Sequence, residues 1–204
     1  ILVYAPQLER ELYVFRGVFN PLLSNVPPFL AEHLEVKPDD TVLDVGTGTG
    51  FQAIRALRLG AARAVALDIT DHAVANTQAN IELLSLQDRM AVRQSDLFTA
   101  LNPQEQFSLI IFNPPLLDGR PTTPLERAVF DEQYELITRF MNESRRYLAD
   151  DGRIQIGYTS KNLEQLFRLA GENGLQARIV ATKQAYRDET YYVIELTKRP
   201  PQGT

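Results

Sequence analysis

The stretch Val42-Leu43-Asp44-Val45-Gly46-Thr47-Gly48-Thr49-Gly50-Phe51 constrains the fold more than any other part of this chain. A short apolar run carrying one acid enters three glycines at alternate positions. A helix-like segment, Gln52 to Leu59, comes at once after them. This is the sequence form of a strand, a glycine turn and a helix N-terminus. Glycine lets the backbone turn tightly and lets a ligand come close. The helix start beyond it offers unpaired N–H groups and a dipole that favours negative charge. On its own the stretch fits any glycine-rich strand-to-helix loop, so its meaning depends on the residues downstream.

Downstream the pattern is regular alternation. Strand 41–45 leads to helix 51–59, and Ala64 to Asp68 forms a second strand. Helix 71–84 starts with Asp71 in the N-cap position. Met90 to Gln94 is a third strand, and Phe107 to Phe112 a fourth, apolar enough to be buried on both faces. Residues 125–148 read as one long helix that turns Phe130, Tyr134, Ile137, Phe140, Met141 and Leu148 inward. Gly152 to Tyr158 is a fifth strand, and helix 160–173 ends at Gly174 in the C′ position. Strands 177–182 and 191–196 have no helix between them and form an antiparallel hairpin, with Asp188-Glu189 in its solvated turn. The expected fold is α/β, a doubly wound and mostly parallel sheet with helices on both faces.

Residues 1–36 are different. Prolines at 21, 27 and 28 break them into short pieces. Leu8 to Tyr13 reads as a short helix or turn and Val14 to Phe19 as a small hairpin. Phe29 to Leu34 reads as a helix with Phe29, Leu30 and Leu34 on one face. This segment is expected as an appendage packing over the ligand site, with the main domain at 37–204.

Composition removes several classes of function. The 204 residues carry a net charge of −5 and no cysteine, which excludes disulfides and Cys-based metal sites. There is no run of roughly 18 apolar residues, so no membrane span is expected. His33 and His72 are isolated and read as surface or packing residues, and no metal site is expected. Arg145-Arg146 and Lys198-Arg199 are basic pairs without a cluster, which disfavours a polyanionic partner. No signal peptide is visible, a start at Ile1 rather than Met suggests a trimmed chain, and the cytoplasm is the default compartment.

In a doubly wound sheet, ligands bind beyond the carboxyl ends of the strands, where strand order reverses. The second strand ends at Asp68, next to Ile69, where an acid can accept from ribose hydroxyls. The third is followed by Ser95-Asp96-Leu97-Phe98, where an acid can accept from an exocyclic amine while Leu97 or Phe98 packs on the ring. The fourth ends in Asn113-Pro114-Pro115-Leu116, the most specific signal. The prolines fix φ, lack an N–H and hold the residue before them extended, giving a stiff turn without donors. The Asn113 side-chain oxygen and a nearby main-chain carbonyl can then act as paired acceptors for a planar NH2 group. Two acceptors turn the nitrogen lone pair towards an electrophile, so that orientation and electrostatics replace a histidine base.

In this order and spacing, Asp44 to Gly50, Asp68, Asp96-Leu97-Phe98 and Asn113-Pro114-Pro115 resemble the class I S-adenosylmethionine-dependent methyltransferases. The resemblance covers roughly residues 40–198 and implies the seven-stranded Rossmann-like sheet of that group. The Asn-Pro-Pro version is similar to the amino-group methyltransferases: the HemK-like release-factor glutamine enzymes, the small-domain rRNA guanine enzymes and the adenine-N6 enzymes. The cofactor implied is S-adenosyl-L-methionine. Asp44, Gly46, Thr47, Gly48 and Gly50 would hold its methionine part, Asp68 with Ile69 its ribose, and Asp96 with Leu97 its adenine. Asn113, Pro114 and Pro115 would hold the acceptor, with Asn113 also facing the cofactor.

One position departs from the pattern. Leu116 stands where the family has Tyr or Phe, so Phe112, Phe98 or Tyr158 would have to supply a ring. Base stacking contributes roughly 1–3 kcal/mol per base, so the missing ring and the acidic charge favour a protein side-chain amide or a small amine over a nucleobase. The polar segment 116–124 is expected to line the substrate entrance, with Arg120 and Arg127 as candidate partners of a carboxylate. An RNA or DNA base methyltransferase and a non-catalytic S-adenosylmethionine-binding scaffold are the alternatives. An NAD-dependent oxidoreductase is disfavoured by the glycine spacing and the Asn-Pro-Pro.

Overall fold

The computed structural model describes residues 1–123, 125–185 and 189–200. The chain opens with an antiparallel pair, β1 (Leu2–Ala5) and β2 (Arg10–Tyr13), then the short helix α1 (Val26–Glu32). The main run is β3 (Thr41–Val45), α2 (Phe51–Arg58), β4 (Arg63–Asp68), α3 (Asp71–Leu83), β5 (Met90–Gln94) and β6 (Phe107–Phe112). A two-residue strand pair comes next, β7 (Leu117–Asp118) and β8 (Phe130–Asp131), and then α4 (Glu135–Tyr147). The chain continues through β9 (Leu148–Thr159), α5 (Leu163–Glu172), β10 (Leu175–Gln184) and β11 (Thr190–Lys198).

Seven strands form the sheet in the order β10-β11-β9-β6-β3-β4-β5. The β3–β4, β4–β5, β3–β6 and β6–β9 pairs are parallel, and only β11 runs against its neighbours. The mostly parallel, doubly wound sheet with its terminal hairpin is therefore as expected, and strand order reverses at β3. The alternation of side chains divides the core. Leu43, Ile110, Ile154 and Ile194 face α4 and α5, whereas Val42, Leu109 and Val193 face α1, α2 and α3.

Four local expectations are corrected. The N-terminal hairpin is β1–β2 rather than 14–19, and in the stretch Leu8 to Tyr13, expected as a short helix or turn, Arg10–Tyr13 is strand. Its register is set from outside: Asn80 and Asn76 on α3 accept from the backbone N–H of Tyr13 and Phe15, each at 2.7 Å. Helix α1 starts at Val26, with the prolines in its first turn, where a missing N–H costs nothing. Thr70, not Asp71, caps α3, its hydroxyl accepting from Ala73 N–H at 3.2 Å.

The long helix at 125–148 does not exist as one element. Gln133 and Tyr134 take positive φ, and α4 starts only at Glu135. The Asp131 carboxylate accepts from the backbone of Leu136 and Ile137 and so caps the shorter helix. Gly174, at φ +68°, does occupy the C′ position of α5. Asp188 lies outside the described residues.

Candidate functional site

A cavity of about 420 Å³ opens at the carboxyl ends of β3, β4, β5 and β6. Its wall includes Asp44, Gly46, Thr47, Gly48, Asp68, Ile69, Asp96, Leu97, Asn113 and Pro115. Of the residues assigned in the sequence to holding the cofactor or the acceptor, Gly50 and Pro114 are not on this wall. Gly50, at φ +85°, is the N-cap of α2; a Cβ there would come within 3.2 Å of both Ile54 and Thr77. Pro114 is buried behind Pro115 in the chain and serves the turn.

The glycine turn is tied down from two elements, β4 and α3. Thr47 N–H donates to Leu67 O at 2.9 Å and Gly48 N–H to Asp68 Oδ2 at 3.0 Å. The Thr77 hydroxyl donates to Gly48 O at 3.0 Å and Asn80 Nδ2 to Thr49 O at 2.8 Å. Asn80 also donates to Tyr13 O, so one buried side chain joins the N-terminal hairpin to the turn. No motif marks Asn76 and Asn80 in the sequence; the available signal is two amides one helical turn apart on the face of α3 that also carries Ala73, Thr77 and Ile81.

The two leading acids differ in environment. Asp44 is buried; its Oδ2 accepts from the Thr47 hydroxyl at 2.6 Å and from Ala53 N–H at 3.1 Å. Burial pushes its carboxyl up to about 7, against the pull of these two hydrogen bonds. Asp68 reaches the cavity rim. Its Oδ1 accepts from the Thr70 N–H and hydroxyl, both at 3.0 Å, while Oδ2 holds Gly48. A carboxylate has about four lone-pair sites, so Asp68 keeps room for a hydroxyl donor.

Asp96 is not free. Arg139 on α4 donates to its Oδ2 at 3.0 Å, and both side chains line the cavity. The pair is about two-fifths exposed on each side, so it is weakly held. Leu97, at φ +47°, is buried in the core and borders the cavity.

Asn113 stands in the most unusual position. Its Oδ1 is buried and has no hydrogen-bond partner. The atom faces Gly157 on β9, where an added Cβ would lie 2.9 Å from Oδ1 and 2.8 Å from Val26 on α1. The oxygen therefore points to the wall, not into the cavity as the sequence suggested. A half-turn about χ2 exchanges it with Nδ2 without changing the volume occupied. Thr49 Oγ1 and Gln52 Oε1, also at the cavity wall, are likewise buried and unpartnered. An unmet buried acceptor costs roughly 1–3 kcal/mol, and a ligand hydrogen would reach Asn113 Oδ1 only after that half-turn.

The rings expected to replace the one missing at Leu116 are elsewhere. Phe98 stacks on Tyr147 at 5.1 Å, and neither Phe98 nor Tyr158 borders the cavity. Phe112 touches the wall but is stacked on Phe140 at 4.2 Å. Leu116 is half-buried and packs against the core. The partly buried rings that do line the cavity are Phe19, from the segment before α1, and Phe130 on β8. Arg127 lines the mouth, whereas Arg120 is outside, 4.0 Å from Glu132.

His33 Nδ1 is 2.9 Å from Phe29 O, as befits a packing residue. Among the described residues there is no group of three His, Cys, Asp or Glu side chains placed to hold a metal. No helix among them is long and apolar enough to cross a membrane.

Comparison with known proteins agrees with this geometry. The chain is 35% identical over 184 residues to the release factor glutamine methyltransferase of Rhodopirellula baltica, covering 84% of this chain and 59% of that protein. It thus spans little more than half the length of that relative. It is 34% identical over 155 residues to a Methanocaldococcus jannaschii protein bearing the name of a protein N5-glutamine methyltransferase, covering 72% of this chain and 74% of the other. In fold, it superposes with a TM-score of 0.74 on a T. thermophilus 16S rRNA methyltransferase solved with S-adenosylmethionine and guanosine, at 22% identity, over 98% of this chain and 50% of that one. The methyltransferase small domain model matches residues 17–195, the span that holds the cavity, its glycine turn and the Asn-Pro-Pro loop. The chain belongs to the methyltransferase small domain family.

Proposed function

We propose that this chain binds S-adenosyl-L-methionine and methylates the side-chain amide nitrogen of a glutamine in a protein, a translation factor being the first candidate. The observation that carries this reading is Asn113: a half-buried amide whose oxygen is buried without a partner, on a donor-free Pro-Pro turn at the edge of the cavity. The glutamine enzymes among the relatives support the acceptor.

The residues fit the cofactor. The cavity volume suits a nucleoside-sized ligand. Asp68 would accept from its ribose, and Leu97 would pack on its adenine. Asp96 would take the adenine amine by sharing or releasing Arg139. Asp44 and the turn Gly46–Gly48 would hold the methionine end. When bound, the group supplies an electrophilic methyl on a sulfonium.

The protein's part is orientation. With Oδ1 turned inward, Asn113 accepts one amide hydrogen while a main-chain carbonyl of the Pro-Pro turn accepts the other. The two acceptors hold the NH2 plane and aim its lone pair. The mechanism assigns no protein base to Asn113's side of the cavity. The nitrogen–methyl bond would form as the carbon–sulfur bond breaks, the thioether S-adenosylhomocysteine would be the leaving group, and the cationic tetrahedral nitrogen would give its extra proton to solvent water. Residues 1–36 contribute Gly17, Val18, Phe19, Pro21 and Pro27 to the wall. In this reading they cover the cofactor and exclude water. The cytoplasm is the compartment implied.

The test is incubation with labelled-methyl cofactor and a purified release factor, with total RNA as competitor. Label on a glutamine of the factor is the expected result. Label in RNA would replace the acceptor with a base, and cofactor binding without any transfer would leave a scaffold.

A further inference from the structure

The family's aromatic side chain after Asn-Pro-Pro is absent, yet the structure places a ring beside the same loop by another route. The chain leaving Leu116 is zipped at once to residues 129–131. Leu117 N–H donates to Val129 O at 3.0 Å, and Leu117 and Asp118 pair with Phe130 and Asp131. Both ends of this pair are anchored. Asp118 Oδ1 accepts from Gln133 N–H at 2.8 Å, and the Asp131 carboxylate caps α4. Phe130 is half-buried and lines the cavity with Asn113 and Pro115. Gly119 sits against the ring: a Cβ there would lie 2.8 Å from Phe130 Cδ1 and 3.4 Å from Cε1.

We infer that Phe130 is the flat wall on which the acceptor NH2 group lies, and that Gly119 is glycine so that the ring can hold that position. The inference rests on the proposed glutamine-amide activity and refines it. A planar primary amide placed between the ring face and the Asn113 acceptors is fixed in plane and shielded from water, which strengthens its polar contacts. A ring carried on the β7–β8 pair leaves position 116 to the core, which explains why a leucine is tolerated there.

The test combines kinetics with a spectroscopic reporter. With a glutamine-containing peptide as acceptor, Phe130→Ala should raise its KM about 10-fold or more and leave the Kd for S-adenosylhomocysteine unchanged. Phe130→Tyr should stay within about 2-fold of the parent, since the flat face is kept. Gly119→Ala should reproduce the Phe130→Ala effect by displacing the ring. The double variant should be no worse than either single one, because both act through one contact. The chain contains no tryptophan, so Phe130→Trp introduces a single reporter. Its emission should shift when peptide is added to the S-adenosylhomocysteine-loaded protein.

An unchanged peptide KM in Phe130→Ala, or a selective loss of cofactor affinity, would overturn the inference. So would additive effects in the double variant. If the parent protein fails to methylate the peptide, the glutamine reading falls and the reporter decides the ring separately. A shift with adenosine or guanosine then keeps Phe130 as an acceptor wall, and silence with every planar amide or amine overturns it.

Discussion

The acids of the glycine turn and the asparagine of the β6 loop border one cavity but are held in opposite ways. Asp44 and Asp68 together accept five hydrogen bonds from the turn and its neighbours, so the turn has its shape before any ligand arrives. Asn113 Oδ1 accepts none, and Pro114 and Pro115 bring no N–H donor near it. Binding the cofactor calls for rigidity, because the backbone must present N–H groups to a charged, flexible molecule. Orienting the acceptor calls for an unmet acceptor that only the substrate satisfies. The same sheet edge provides both because the turn draws on α3 and β4, whereas Asn113 Oδ1 on the β6 loop lies against Gly157 without a hydrogen-bond partner.

This contrast can be broken at either half. The largest effect is expected from Asn113→Ala, which removes the orienting acceptor; loss of one well-placed polar group of this kind costs about 100- to 1000-fold in rate. Labelled-methyl transfer measures it.

Gly157→Ala comes next. Its Cβ would crowd Asn113 Oδ1 and Val26, and misplacement of an orienting group by about 1 Å costs up to about 100-fold. The expected signature is a fall in kcat with unchanged cofactor affinity. Adding Val26→Ala should recover melting temperature but not kcat; recovery of both would assign the effect to packing alone.

Asp68→Ala acts on the other half. It removes the acceptor of Gly48 N–H and of Thr70, and the Kd for S-adenosylhomocysteine should rise about 10-fold or more, since hydrogen bonds to charged groups contribute about 1.5–3 kcal/mol. An unchanged Kd by calorimetry would remove Asp68 from the cofactor site.

The smallest effect concerns pH. Asp44 is raised by burial from an ordinary carboxylate value of 3.8 to about 7. A raised carboxyl contributes stability that is complete below its unfolded value and lost as pH rises through the folded one. Between about pH 4 and 7, unfolding free energy should therefore fall through this group. Asp131, also raised by burial, acts in the same direction. Asp40 acts oppositely: burial raises it, but the Arg153 side chain, Lys37 N–H and the Ser108 hydroxyl outweigh that and lower it, so its contribution is lost as pH falls. Asp44→Asn should flatten the slope between about pH 5 and 7 in denaturant titrations. An identical slope in the variant would mean that Asp44 is ionised throughout.

The parallel sheet is legible in the sequence because each strand is a compact apolar run ending in a polar or glycine turn, a purely local pattern. The acids at the strand ends are legible for the same reason. The elements that the sequence conceals depend on distant partners. The β1–β2 hairpin takes its register from Asn76 and Asn80, more than sixty positions on. Phe130, Tyr134 and Ile137 have helical spacing, yet the pairing of Leu117 with Phe130 and the Asp131 cap make that helix start late, at Glu135. Asp96 reads as a free acceptor because Arg139, forty-three positions away, gives no local sign of reaching it. The orientation of Asn113 is also beyond reach, since Gly157 lies on a strand that only folding brings beside it.

The measurement that tests this account most directly sets two numbers side by side for the parent and Asn113→Ala. They are the calorimetric Kd for S-adenosylhomocysteine and the single-turnover rate of methyl transfer to a glutamine-containing acceptor. The account predicts equal Kd values and a rate lower by about two orders of magnitude or more in the variant. Loss of affinity and rate in parallel would mean that Asn113 belongs to the cofactor's half of the cavity, and the division between a preformed turn and a waiting acceptor would be wrong.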